Sequence, residues 1–314
     1  MKGVCYNANV HIMKKIITLM LCAVMLLAFV SCVPNGETSN ANSDVSNSGE
    51  TNVSNGSASA DDGYVKDGEL KVRHFKCGKA DAILIRTKTH TFLIDTGEVD
   101  DSQDILDYLA EKGIKKLDYI LLSTYDRDCY GGAAAIVRSV EVDNVIMPAY
   151  EKDNVEYAEL MDEIKKTDIK VERLSGKKTI ELDDAVLELE GSRYERYIQR
   201  QDENASIIVS LTHGDVKMLF ASSIQSERMY EMLNSGGLGK YDYLKVPNFG
   251  LVNNNTAAFI AAVSPKIASI SCSDKNPADQ QTLDALQTAG TTVYLTKNGN
   301  VKLTSDGKTV EVKQ

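Results

Sequence analysis

The sequence predicts an α/β domain, α+β in the wider sense, of two packed β-sheets with helices on the outside. Three observations carry this. β-rich runs fall into two blocks, helical stretches punctuate both, and one apolar strand pattern ends in the polar run Ser123 to Gly132 (STYDRDCYGG), ahead of a small-residue helix. Strand blocks with a few interleaved helices pack as sheet on sheet with helices outside. Polar side chains delivered at a strand's carboxyl end, before a Gly turn and a helix, are where such folds place their chemistry. No repeat short enough for a solenoid is visible, and 314 residues with 43% hydrophobic composition suffice for one domain of roughly 250 residues.

The elements follow in order. Leu70 to Phe75, Ala82 to Thr87 and Thr91 to Ile94 read as an antiparallel meander, separated by turn signals near Gly78 and His90. Asp104 to Leu109 carries Ile105, Leu106 and Leu109 at helical spacing and stops at Gly113. The apolar run Leu117 to Leu122 and the helix Ala133 to Val137 flank the polar stretch, before a strand at Val142 to Met147 and an acidic helix at Val155 to Lys166. In the second block, strands are predicted at Ile169 to Leu174, Thr179 to Leu182, Ala185 to Leu189, Ser206 to Leu211, Lys217 to Ala221 and Tyr243 to Val246. Further strands are predicted at Ile267 to Ser271, Thr292 to Leu295, Val301 to Thr304 and Thr309 to Val312, with helices at Gln225 to Leu233, Thr256 to Val263 and Gln280 to Ala289.

The amino-terminal part predicts export. Lys14 and Lys15 precede an apolar run from Ile16 to Val30, the length of a signal-peptide core and short for a membrane span. Phe29-Val-Ser-Cys32 resembles a bacterial lipobox, in which the cysteine is lipidated and becomes the first residue; Met13 reads as the start. An uncleaved anchor is the alternative, and either one leaves the rest extracytoplasmic at a membrane surface. Val33 to Asp62 is rich in Ser, Asn and Gly and too polar to bury a core, so it reads as a flexible tether. Residues 1–31 are thus expected to be a signal peptide, 32–63 the lipidated cysteine and tether, and 64–314 the folded domain. Cleavage removes three lysines and no acid, taking the net charge from −10 to −13. Such a chain repels phosphate backbones, which disfavours nucleic acid as a partner.

The run Ser123 to Gly132 resembles the metal-binding signature of the metallo-β-lactamase superfamily, in the form found in ComEC-type competence proteins, Ser/Thr-His-x-Asp/His-x-Asp-His-x-Gly-Gly. Ser123, Asp126, Asp128, Gly131 and Gly132 match it, while the two histidines are Thr124 and Cys129. Val72 to Ile85 resembles that branch's opening strand and hairpin, Phe92 to Gly97 its second motif, Asn204 to Val209 the opposite strand, and Leu244 to Val246 the strand before a late histidine motif. The resemblance implies a four-layer αββα metallo-β-lactamase-like sandwich over about Glu69 to Gln314, and a binuclear zinc hydrolase site.

Carried over residue by residue, the resemblance puts the bridging carboxylate at Ser223, the late His pair at Asn248 and Phe249, and the last His at or near Asp279. Asp81 and Asp95 stand where the family supports its ligands, and are expected to cap loop amides. Outside the signal segment the histidines are His74, His90 and His213, none at a ligand position and all expected to be ordinary strand or turn residues. Zinc is therefore disfavoured. Asp126, Asp128 and Asp279, with Asn248, form an oxygen set that suits a single Mg²⁺, Mn²⁺ or Ca²⁺; the blander reading is that these residues hydrogen-bond one another.

Cys77, Cys129 and Cys272 are expected near the pocket mouth, as buried small residues or with two of them paired in an oxidising compartment. Arg193 to Arg200 interleaves basic and aromatic residues, as a solvated loop or as a polyanion contact. The favoured expectation is a membrane-tethered lipoprotein with a degenerate, non-catalytic domain that binds a small ligand or an envelope protein. The alternative is a metal-dependent, phosphodiesterase-like or nuclease-like hydrolase, with a link to DNA uptake resting on fold analogy alone.

Overall fold

The computed structural model describes residues 64–314. The expected signal segment, Cys32 and the tether lie outside the described residues.

Strands β1 (Leu70–His74), β2 (Ile83–Arg86) and β3 (Thr91–Ile94) form the expected antiparallel meander. Helix α1 (Ser102–Glu111) crosses to β4 (Lys116–Leu121), which pairs parallel with β3. A single turn α2 (Arg127–Tyr130) and helix α3 (Ala133–Ser139) lead to β5 (Glu141–Pro148), and α4 (Val155–Ile164) leads to β6 (Lys170–Leu174).

The second sheet opens with β7 (Lys177–Leu182) and β8 (Ala185–Glu190). After the turn α5 (Gln201–Asn204) come β9 (Ile208–His213) and β10 (Val216–Phe220). Then α6 (Ser226–Asn234), β11 (Tyr243–Lys245), α7 (Thr256–Val263), β12 (Ile267–Ile270), α8 (Gln280–Thr288) and β13 (Thr292–Leu295) complete it. Last, β14 (Val301–Ser305) and β15 (Val310–Lys313) return to the first sheet, giving the order β15-β14-β1-β2-β3-β4-β5-β6 against β13-β12-β11-β10-β9-β8-β7.

The two-residue alternation of strand side chains builds the layers. Ile83, Ile85, Phe92 and Ile94 face the second sheet, where Val216, Met218 and Phe220 of β10 meet them. Leu84 and Leu93 point the other way, onto Ile105 and Leu109 of α1 and Leu160 of α4. Leu219 likewise turns outward to Met229, Phe259 and Leu286 on the helices of the second face. Three cores between four layers make the αββα sandwich that the sequence and the resemblance predict. The two single turns were not expected, because four residues are too few to show a helical period. Among the described residues no helix is long and apolar enough to cross a membrane.

Candidate functional site

Parallel pairing of β3 with β4, of β10 with β11 and of β11 with β12 gathers their carboxyl ends at one edge of each sheet. Buried hydrogen bonds join the two edges: Ser123 Oγ lies 2.5 Å from Ser222 Oγ, and the Ile207 amide donates to the Ser123 carbonyl at 2.7 Å. Among the described residues, four of the seven non-glycine residues with positive φ sit here: Asp95, Ser222, Asn248 and Phe249. A phenylalanine in the left-handed region is an uncommon and costly conformation, and such strain concentrates at functional loops.

At the centre is a buried chain of polar groups. Asp81, 1% exposed, accepts from the ammonium of Lys245 at Oδ2 and from the Ser271 hydroxyl at Oδ1. His74 lies on the same inward face of β1 as Leu70 and Val72; its Nε2 is 2.8 Å from Ser271 Oγ and its Nδ1 2.8 Å from Ser269 Oγ. Because Ser271 gives its hydrogen to Asp81, it accepts from His74 Nε2–H; Nδ1 then accepts from Ser269, which Tyr243 supports at 2.5 Å. A neutral imidazole fits this chain, and burial lowers the His74 pKa, as it must where a charged ring would lose its water. Burial alone would raise the Asp81 pKa, but the Lys245 charge and the nearby His74 ring, with Nε2 3.6 Å from Oδ1, outweigh it and hold the carboxyl below its ordinary value.

Asp95 behaves in the opposite way. It accepts the Ser123 amide at 2.7 Å and the Ser123 hydroxyl at 2.6 Å. Burial, reinforced by the Asp81 charge, pushes its pKa up to about 8. Two residues expected to do one job therefore do different ones: Asp95 holds a loop amide, whereas Asp81 anchors an ammonium. His74, expected to be ordinary, is a fully buried bridge between the sheets, and His213 is also buried, against Ser305 at 2.9 Å.

The positions that the resemblance marks as ligands are mostly closed. Thr124 is buried and donates to the Asp202 carbonyl at 2.8 Å. Cys129 Sγ lies 3.5 Å from Ser223 Oγ, with both residues buried. Asn248 accepts from Gln225 at 3.4 Å, and the Phe249 ring centroid is 5.3 Å from the Lys245 ammonium and 5.7 Å from that of Lys79. Asp128 pairs with Lys79, and its amide donates to Asp126 at 3.3 Å. Asp126 is half-buried; burial and then Asp128 raise its pKa to about 6. Asp279 accepts the Val252 amide at 2.8 Å, a loop-holding role. Among the described residues, the three metal-capable donor atoms within 4.8 Å of one another belong to Asp81, Asp95 and Cys129, not to Asp126, Asp128 and Asp279. Cys77, Cys129 and Cys272 are buried thiols.

Two of these residues had a visible signal. Lys245 interrupts the apolar run Tyr243-Leu-Lys-Val246, and a lysine inside a core strand needs a buried partner. His74 falls two residues beyond Val72 on the inward face of an alternating strand.

A second feature lies on the outer face. The Arg193 to Arg200 run forms one wall of an open groove of about 690 Å³, in which Tyr194, Ile198 and Tyr230 are exposed. Arg228 of α6, fully buried, is paired with Glu231 on the same helix at 2.5 Å and ties α6 to this wall by donating to the Tyr197 hydroxyl at 3.5 Å and the Gly191 carbonyl at 2.8 Å. Asn204 accepts the amides of Gln225 and Arg228, both at 3.1 Å, and so caps α6 from outside the helix.

The comparisons with known proteins agree with this architecture. The family model of the metallo-beta-lactamase superfamily matches residues 76–273. ComE operon protein 3 of Bacillus subtilis (strain 168) is 24% identical over 221 residues, 69% of this chain and 27% of that protein, so the chain spans about a quarter of this relative. Among solved structures, the metallo-beta-lactamase fold protein YhfI from Bacillus subtilis superposes with a TM-score of 0.52 at 13% identity, covering 79% of this chain and all of that one. A variant of CmlA beta-hydroxylase gives 0.51 at 12% identity, over 75% of this chain and 53% of that one. At such identities these two bear on the fold alone.

Proposed function

Since the chain belongs to the metallo-beta-lactamase superfamily, we propose that it is an exported member, held at the membrane through a lipid on Cys32, whose domain has lost hydrolysis and serves as a binding module. The observation that carries this reading is the buried contact of Lys245 with Asp81 among the former ligand positions. The pair of metal ions that the family implies does not fit these residues. An ion held by Asp81 would sit against an ammonium already in contact with the same carboxylate, and like charges a few ångströms apart repel strongly in a buried site. Thr124, Ser223 and Asn248 are weak replacements for imidazole and carboxylate, and Phe249 offers no donor at all.

Binding on this reading moves away from the filled site. The groove walled by Tyr194, Ile198 and Tyr230 offers apolar surface to a small ligand or an envelope protein. The acidic net charge weighs against nucleic acid there.

Metal content is the test. The protein purified without chelator, then dialysed against Zn²⁺, Mn²⁺, Mg²⁺ or Ca²⁺, is expected to keep no stoichiometric metal and to hydrolyse no phosphodiester. One tightly held equivalent that vanishes in Asp126→Ala or Asp128→Ala, together with metal-dependent turnover, would replace this reading by the hydrolase one. For the anchor, Cys32→Ser is expected to move the protein from the membrane fraction to the soluble exported fraction, and an unchanged distribution would remove lipidation at that residue.

A further inference from the structure

In the metal-binding members that the resemblance implies, positive charge is supplied to a ring of donors by ions; this chain carries a positive charge of its own in that place. Lys245 is the last residue of β11 and is 1% exposed. Its ammonium has three hydrogens and meets three acceptors: Asp81 Oδ2, the Ser222 carbonyl at 3.1 Å, and the face of Phe249, 5.3 Å from the ring centroid. Cys129 Sγ stands 4.0 Å from the same Asp81 oxygen and 3.5 Å from Ser223 Oγ. Positions 129, 223 and 249, which the resemblance marks as ligands, are therefore gathered around this carboxylate–ammonium contact.

Asp81 requires such a partner. A carboxylate this deep is strongly disfavoured unless it is paired. His74, whose Nε2 is 3.6 Å from Asp81 Oδ1, is not the counter-charge, because its Nδ1 accepts from Ser269 and the ring is neutral. We infer that Lys245 is the resident cation of this pocket: its ammonium takes the place a metal takes in the family, neutralises Asp81, and holds the carboxyl ends of the two sheets together without metal. This deepens the non-catalytic reading above and rests on it.

Two arms on the full chain test it. In the first, Lys245→Met removes the charge and keeps an apolar stem, with an expected fall in Tm of about 10 °C. Asp81→Asn added to Lys245→Met is expected to recover most of that fall, because neither charge then remains. A Lys245→Met chain as stable as the parent, or a double variant that loses the sum of the two single effects, overturns the inference. Where Lys245→Met does not fold, the double variant decides: folded, it supports the charge role; unfolded, it refutes it.

In the second arm, Lys245→Ala vacates the space, and titration with Co²⁺ is expected to produce a cobalt–thiolate absorption and a higher Tm. Adding Cys129→Ser should abolish the absorption, and the parent should show neither effect. The band in the parent, or its absence in a folded Lys245→Ala chain, means that the ammonium does not occupy a metal's place. Turnover by the metal-free parent would remove the non-catalytic reading while leaving the Asp81 and Lys245 stability coupling intact, so the two failures are distinguishable.

Discussion

Gly132→Ala is expected to lower the stability of the domain by about 3 kcal/mol, at the upper end of the range for overpacking. A Cβ at this residue would stand 2.5 Å from the Thr96 carbonyl oxygen and 3.2 Å from both the Glu98 carbonyl oxygen and Ser102 Cβ. The nearest obstacle is backbone, which cannot swing aside as a side chain would. The Gly132 amide also donates to the Gly97 carbonyl at 3.1 Å, so movement away from the clash stretches a bond that ties the loop after β4 to the loop after β3. Gly131 is similarly confined, since a Cβ there would stand 2.8 Å from the Arg127 carbonyl oxygen. Gly239→Ala is the control, because a Cβ there meets nothing within 4 Å. Urea midpoints of the two variants against the parent settle the matter; a Gly132→Ala midpoint matching that of Gly239→Ala would show that the loop can relax around the methyl.

The same crowding explains why the resemblance stays readable while the ligands have changed. Gly131 and Gly132 are held by close packing against the loop at residues 96 to 99, a constraint that persists whether or not a metal is bound. Thr124, Cys129, Ser223 and Asn248 need only be compact and find a partner, and each has found one. The frame of the site could thus be read from the glycines, the apolar strand before them and the alternation in β1 to β3. Its contents could not. No pattern of period or composition says that Lys245 reaches Asp81, because the two are 164 positions apart and meet only after the sheets pack. Asp81 and Asp95 were indistinguishable as residues and diverge in the fold: one lies against an ammonium, the other against a serine.

That divergence makes the second large prediction one of pH. Asp95 in the folded domain has a pKa near 8, raised from 3.8 by burial and by the Asp81 charge. A group whose folded pKa lies above its unfolded one binds its proton more tightly when folded, so its contribution is complete below the ordinary carboxylate range and is lost as pH rises through about 8. The full span is on the order of 5 kcal/mol. Asp126, raised to about 6, adds a smaller decline that is over by neutral pH. Asp81 and His74, both lowered, work in the other direction: their contributions are present at neutral pH and are lost on acidification. Between pH 6.5 and 9 the falling limb therefore belongs mainly to Asp95. Asn at this position would keep the acceptor for the Ser123 amide, offer its own NH₂ to the Ser123 hydroxyl, and tolerate the φ of 58°. Asp95→Asn is accordingly expected to come closest to the parent below about pH 4, to exceed its Tm by a margin that widens up to about pH 8, and to keep that margin at pH 9, flattening the falling limb. Parallel Tm curves for the two proteins across that range would mean that Asp95 is already ionised in the folded state, with the pocket tolerating a second negative charge beside Asp81.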